Sequence, residues 1–154
     1  MVFSDNIDFV LPFKKVPITS ITIPSKVDDL HFIISRYLTE IHISPKNKLY
    51  ADIDGKMIIK KSNINNDVYD ILYKSLTNIK HVIIPSYIKT IKNSAFANCD
   101  QIVTLEFSKN SQLKIIENGA FTYSSINEIK IPKSVEYIEE KAFSCCSDLE
   151  TVLF

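Results

Sequence analysis

Glycine is almost missing from this chain: Gly55 and Gly119 are the only two in 154 residues. A phosphate-cradling loop needs several glycines before its backbone can approach the anion, so neither the dinucleotide-binding nor the P-loop type can be built here. Arginine occurs once, at Arg36, tryptophan not at all, and 18 basic side chains cancel 18 acidic ones. That balance leaves no electrostatic footprint for nucleic acid or an anionic membrane surface. No apolar run approaches the roughly 20 residues that cross a bilayer, so no membrane insertion is expected. Nor does the N-terminus show a basic stretch followed by an apolar one, and this lack of a secretory leader points to a cytoplasmic protein.

Cysteine is scarce too, with Cys99, Cys145 and Cys146 as an odd count of 3. Cys99 and Cys146 fall in the same place two repeats apart, which strand spacing puts at roughly 9 to 10 Å, beyond the reach of a disulfide. Buried thiols are the expectation. His31, His42 and His81 lie near none of them in sequence, so a four-ligand zinc site is not expected, and neither is any other metal or cofactor. No motif aligns Ser, His and Asp for nucleophilic catalysis, and the chain reads as a protein that is not an enzyme.

What is present is a segment written three times: Ile91 to Phe96, Ile116 to Phe121 and Ile138 to Phe143, each ending in Ala-Phe. Each copy leads into a short apolar strand, and Val82, Leu105, Ile129 and Val152 are equivalents spaced 23, 24 and 23 residues apart. This is the period of a leucine-rich repeat, in which no single unit buries its own apolar side chains and stacked units share one core. The extra residue of the middle unit falls in the polar run Ser108 to Gln112, where an insertion can loop outward at little cost. Phe96, Phe121 and Phe143 are expected to form a packing column on the side away from the strands.

The pattern Ile-Pro-x-x-Val-x-x-Ile-x-x-x-Ala-Phe-x-x-Cys-x-x-Leu, read here from Ile131-Pro132 through Cys146 to Leu149, resembles the BspA-type leucine-rich repeat family. The likeness runs in phase from Ile79 to Phe154. It implies a solenoid, and it implies the cell surface as the alternative location, because such proteins of bacteria and protozoa often serve in adhesion. The family often carries glycine after the second Ile and before the Cys. Those places hold Lys92, Glu117 and Glu139, and then Asn98 and Cys145.

The first half is less regular. Asp54-Gly55 flanked by alternating apolar residues predicts a hairpin over Tyr50 to Ile59, since both central positions of a type I′ turn favour positive φ. A calcium loop on the same residues fails, because it would need Tyr50 as first ligand and Lys61 in place of a bidentate glutamate. Val68, Ile71, Leu72, Ser75, Leu76 and Ile79 recur at helical spacing, which predicts a helix from about Asp67 to Asn78. Met1 to Lys15 is apolar and irregular and is expected to cover the N-terminal end of the core.

The fold expected is therefore an α/β-type repeat, a leucine-rich-repeat solenoid with a parallel sheet on one face, short helices or turns on the other, and a hairpin-plus-helix insertion. It forms a single domain over 1–154, divided into a degenerate cap and repeat (1–44), the insertion (45–78) and regular repeats (79–154). Strand alternation turns the third and fifth positions of each strand outward. His81, Ile83, Thr104, Glu106, Glu128, Lys130, Thr151 and Leu153 thus form the candidate partner-binding face, with Ser20, Thr22, Glu40 and His42 extending it. Glu106 beside Lys130 is expected to pair for a few tenths of a kcal/mol. The function expected is recognition of a protein or peptide on that face. The alternatives are a self-associating solenoid, pairing through the C-terminal end at Leu153 and Phe154, or a fragment of a larger surface adhesin.

Overall fold

The computed structural model describes residues 17–30 and 37–154, so Met1 to Lys15, expected to cover the end of the core, lies outside the described residues. Among the described residues there are twelve strands and no helix. In chain order they are β1 (Ser20–Ile23), β2 (Glu40–Ile43), β3 (Tyr50–Ile53), β4 (Met57–Lys60), β5 (Ile71–Ser75), β6 (His81–Ile84), β7 (Thr90–Ile91), β8 (Thr104–Phe107), β9 (Ile115–Ile116), β10 (Glu128–Lys130), β11 (Tyr137–Ile138) and β12 (Thr151–Leu153).

One side of the solenoid carries the longer strands as three parallel ladders, β1 with β2, β6 with β8, and β10 with β12. A second, six-stranded sheet in the order β11-β9-β7-β5-β4-β3 forms another side. The two-residue strands of that sheet and the turns after them occupy the place where short helices or turns were expected. The α/β description is corrected to an all-β solenoid.

The predicted helix over Asp67 to Asn78 is the clearest correction, because Ile71–Ser75 is strand β5. It pairs antiparallel with β4 and parallel with β7, so each edge of its backbone has a partner that a helix could not offer. Leu72 stands opposite Ile91 and is wholly buried, whereas Val68, assigned to the same helical stripe, is exposed.

The hairpin forms as expected. Lys56 N donates to Ile53 O at 2.9 Å around Asp54 and Gly55, with φ of 52° and 62°. Its tip docks against β2: Ile41 N donates to Gly55 O at 2.8 Å, and Asp52 accepts Ile43 N at 2.8 Å and Gly55 N at 3.1 Å. On the far side Leu76 N donates to Lys56 O at 2.9 Å. The tip therefore bridges β2 and the residue that follows β5. Strand β4 divides the interior, with Ile58 packed among Ile21, Ile41 and Tyr50, and Met57 and Ile59 packed among Leu72, Val82 and Ile91.

Phe96, Phe121 and Phe143 stack as a column, with centroids 5.2 and 5.1 Å apart and planes within 5° and 1° of parallel. Cys99 is buried, which pushes its thiol up to about 12, whereas Cys146, expected to be buried like it, is half-buried. All three cysteines are free thiols, and Cys146 Sγ donates to Phe121 O at 3.0 Å.

The turns that glycine would ease use two left-handed slots in each unit. One holds Asn98, Tyr123 and Cys145, with φ of 61°, 58° and 57°. The other holds Ser94, Gly119 and Lys141, with φ of 55°, 63° and 62°. This second slot lies two residues beyond Lys92, Glu117 and Glu139, where glycine was expected. Glu117 and Glu139 instead tie neighbouring units together, since their carboxylates accept the amides of Asn93 and Asn118 from the preceding unit, at 2.9 and 2.8 Å.

Candidate partner-binding face

All eight residues assigned to the face lie on β6, β8, β10 and β12. Alternation holds on β6, β8 and β10, where Val82, Ile84, Leu105 and Ile129 are buried and His81, Ile83, Thr104, Glu106, Glu128 and Lys130 are exposed; on β12 it does not, since Thr151 is half-buried and both Val152 and Leu153 are exposed. Ile83 is 62% exposed, an aliphatic side chain set among polar ones. Ladder register puts His81 opposite Thr104 and Ile83 opposite Glu106, then Glu128 opposite Thr151 and Lys130 opposite Leu153. His81 and Thr104 share a hydrogen bond of 3.0 Å, Nδ1 to Oγ1. The extension at Ser20, Thr22, Glu40 and His42 lies on the separate β1–β2 ladder, where His42 Nε2 lies 3.5 Å from Glu40 Oε2.

The expected pairing of Glu106 with Lys130 does not form, and the reason is a seam in the sheet. At the β6–β8 boundary, Val103 N and Thr104 N both donate to Lys80 O, at 2.7 and 3.1 Å. At the β10–β12 boundary, Glu150 N and Thr151 N both donate to Asn127 O, at 2.9 and 3.2 Å. The corresponding amides in between, Asn127 N and Glu128 N, make no bond to Val103 O, and among the described residues no backbone bond joins β8 to β10. At the far end of β8, Ser108 N donates to Ile84 O at 2.9 Å. One unit later the same place holds Pro132, which has no N–H to give. The two layers stay joined through β9 and β11 and through Phe121 N, which donates to Ala142 O at 2.8 Å.

A groove of about 830 Å³ lies over the seam, lined by Thr104, Glu106, Glu128, Lys130, Lys133 and Phe154 among others. Val103, 62% exposed, also lines it. Sequence reasoning missed Val103 and Lys133, and the signal that could have found them is Pro132 where the preceding unit has Ser108. Among the described residues, no group of three or more His, Cys, Asp or Glu is placed to hold a metal ion. No helix of the described residues is long and apolar enough to cross a membrane.

Stacked 23-residue units with a ladder of outward-facing strand residues define a leucine-rich-repeat solenoid. Residues 66–154 match the family described as BspA type leucine rich repeat region (6 copies), and this chain belongs to that family. No curated protein matches the chain. Among solved structures it is similar to a leucine-rich repeat protein from Eubacterium ventriosum, at 23% identity and a TM-score of 0.71, over 88% of this chain and 36% of that one. It is also similar to a leucine rich cell surface protein from Faecalibacterium prausnitzii, at 20% identity and a TM-score of 0.60, over 88% and 41%. The pneumococcal vaccine antigen PcpA is a third, at 15% identity and a TM-score of 0.60, over 88% and 38%. These likenesses show a shared fold, and the chain spans well under half the length of each.

Proposed function

We propose that this chain is a non-enzymatic interaction module that binds a protein or peptide partner on the face built by β6, β8, β10 and β12. The observation that carries this reading is the row of outward side chains in which Ile83, an exposed aliphatic, lies on the same side of the solenoid as Glu106 and Lys130, which make no ion pair among the described residues. A parallel sheet with its inner side chains buried offers such a row as a rigid platform, so side-chain identity can be spent on recognition. Replacing Ile83, Glu106 and Lys130 together by Thr, Gln and Gln should abolish partner capture from native lysate while leaving the melting temperature unchanged. Capture that persists would rule the face out.

Surface display is the location this reading favours over the cytoplasm, since one structural neighbour is described as a cell surface protein. We read 1–154 as one domain, with 1–44 as degenerate cap and repeat, 45–78 as the insertion, now of strands only, and 79–154 as regular repeats. A second reading, self-association, draws on Val152, Leu153 and Phe154, which are exposed at one end of the solenoid, and membership of a longer solenoid draws on the chain covering 36 to 41% of the structures it resembles. Light scattering over a dilution series tests self-association, and a strict monomer at tens of micromolar would exclude it.

A further inference from the structure

Asn118-Gly119 is the one place in the chain where asparagine precedes glycine. Asparagine is among the thermolabile residues. Its lability depends on the amide that follows it, because that nitrogen attacks the side-chain carbonyl and a Cβ on the following residue obstructs the approach. Gly119 has none, so the peptide between 118 and 119 can rotate toward the ring-closing geometry at little cost. Asn118 is half-buried, and neither its side chain nor the Gly119 amide makes a hydrogen bond among the described residues.

Two other turns supply contrasts. In the preceding unit Asn93 and Ser94 fill the same places, with φ of 55° at Ser94 against 63° at Gly119. Ser94, however, carries a Cβ, and its hydroxyl donates to Asn93 Oδ1 at 2.8 Å. At the hairpin tip Asp54 precedes Gly55, and there the Gly55 amide donates to Asp52 at 3.1 Å and is not free to attack.

We propose that Asn118 is a site of spontaneous deamidation, with water as the only co-reactant, and that its conversion to isoaspartate releases the clasp by which Glu139 holds the preceding unit. The Gly119 nitrogen bonds to Asn118 Cγ, the Cγ–Nδ2 bond breaks, the amide proton passes to solvent and ammonia leaves. Water then opens the cyclic imide. Cleavage at Cγ gives aspartate. Cleavage at the main-chain carbonyl carbon gives isoaspartate, whose backbone runs through the former side chain and is one methylene longer. In the parent turn Asn118 N donates to Glu139 at 2.8 Å and Ala120 N donates to Glu117 O at 3.1 Å. The longer backbone cannot keep both bonds. Either product also puts a carboxylate on the residue whose amide Glu139 holds, and the like charges oppose the clasp. Asn93 N, held by Glu117 in the same way at 2.9 Å, keeps its bond. The inference goes beyond the partner-binding reading and does not rest on it.

The test incubates the full folded chain in mildly alkaline buffer, where the attacking amide loses its proton more readily. Each asparagine is followed by peptide mass mapping with fragmentation that separates aspartate from isoaspartate. Asn118 should convert at least about tenfold faster than Asn93, which a following Cβ holds back. Ser94→Gly should bring Asn93 to within about threefold of Asn118, and glycine suits the left-handed backbone there. Asn118→Gln, which keeps the main-chain amide, should abolish conversion at 118 and leave the melting temperature unchanged. In the converted chain the amide of residue 118 should exchange with solvent at least about tenfold faster than in the parent, with that of Asn93 unchanged. Asn118 that stays intact over the time in which a free peptide of residues 115–122 converts overturns the site, and so does conversion of Asn93 at an equal rate. Conversion that leaves exchange at residue 118 unaltered overturns the release of the clasp.

Discussion

The amide of Ser108 donates to the carbonyl of Ile84 at 2.9 Å, and Pro132, in the equivalent place one unit later, has no proton to offer Phe107. One residue type thus accompanies the division of the strand face into separate ladders. Ser108→Pro should open the β6–β8 boundary in the same way. The expected outcome is a loss of about 1 kcal/mol of stability and faster hydrogen exchange at Thr104. Exchange at Thr104 equal to that of the parent chain would show that proline is not what opens the seam.

Phe121 is packed between Phe96 and Phe143, whereas Phe143 stacks on one ring among the described residues and is only half-buried. Truncating Phe121 to Ala should cost roughly 3 to 5 kcal/mol, because the space cannot collapse between two fixed rings. Phe143→Ala should cost clearly less. Denaturant unfolding of the two variants decides the point, and equal losses would mean that the column is not a stack of shared contacts.

Left-handed backbone is costly for residues with a Cβ, and Lys141 and Cys145 bear that strain at φ of 62° and 57°. Lys141→Gly and Cys145→Gly should each stabilise the fold by up to about 1 kcal/mol, the relief being partly offset by a more flexible unfolded chain. Gly119→Ala should do the reverse, since φ is 63° and a Cβ there would lie 3.0 Å from Thr122 Oγ1. Thermal melts of the three variants read the sign directly.

Asp70 is buried, which by itself would raise its pKa, but hydrogen bonds from Ser62 N and Oγ at 3.0 and 2.9 Å and from Lys89 Nζ outweigh burial and hold it below the usual carboxylate range. A carboxylate whose folded pKa is depressed contributes stability that is complete above the unfolded value near 3.9 and is lost as pH falls through the folded value. Asp70→Asn should therefore cost about 1 to 3 kcal/mol at neutral pH. The gap between parent and variant should close as pH drops below about 4. A gap that stays constant from pH 7 to pH 3 would show that the charge does not matter there.

Much of the fold could be read from the residues, and the misreadings have specific causes. The outward row on β6, β8, β10 and β12 and the inward Val82, Leu105 and Ile129 followed from alternation alone. The Asp54-Gly55 turn followed from its φ requirements. The spacing of Ile71, Leu72, Leu76 and Ile79 suggested a helix because a tight solenoid turn also returns apolar residues every three or four positions. What decides between the two is β4 on one edge and β7 on the other, and neither is visible in that window. The Glu106–Lys130 pair failed for a related reason, since the repeat alignment assumed a ladder that Pro132 does not complete.

By itself the sequence determined phase: which side chains point in, which point out, and where each unit begins, because alternation and turn chemistry act over a few residues. Only the tertiary structure decided which strands ladder together, which carboxylate caps which amide, and where the strand face opens into a groove. Those outcomes depend on groups a full repeat apart, such as Glu117 with Asn93 and Glu139 with Asn118, whose meeting is set by the stacking of layers.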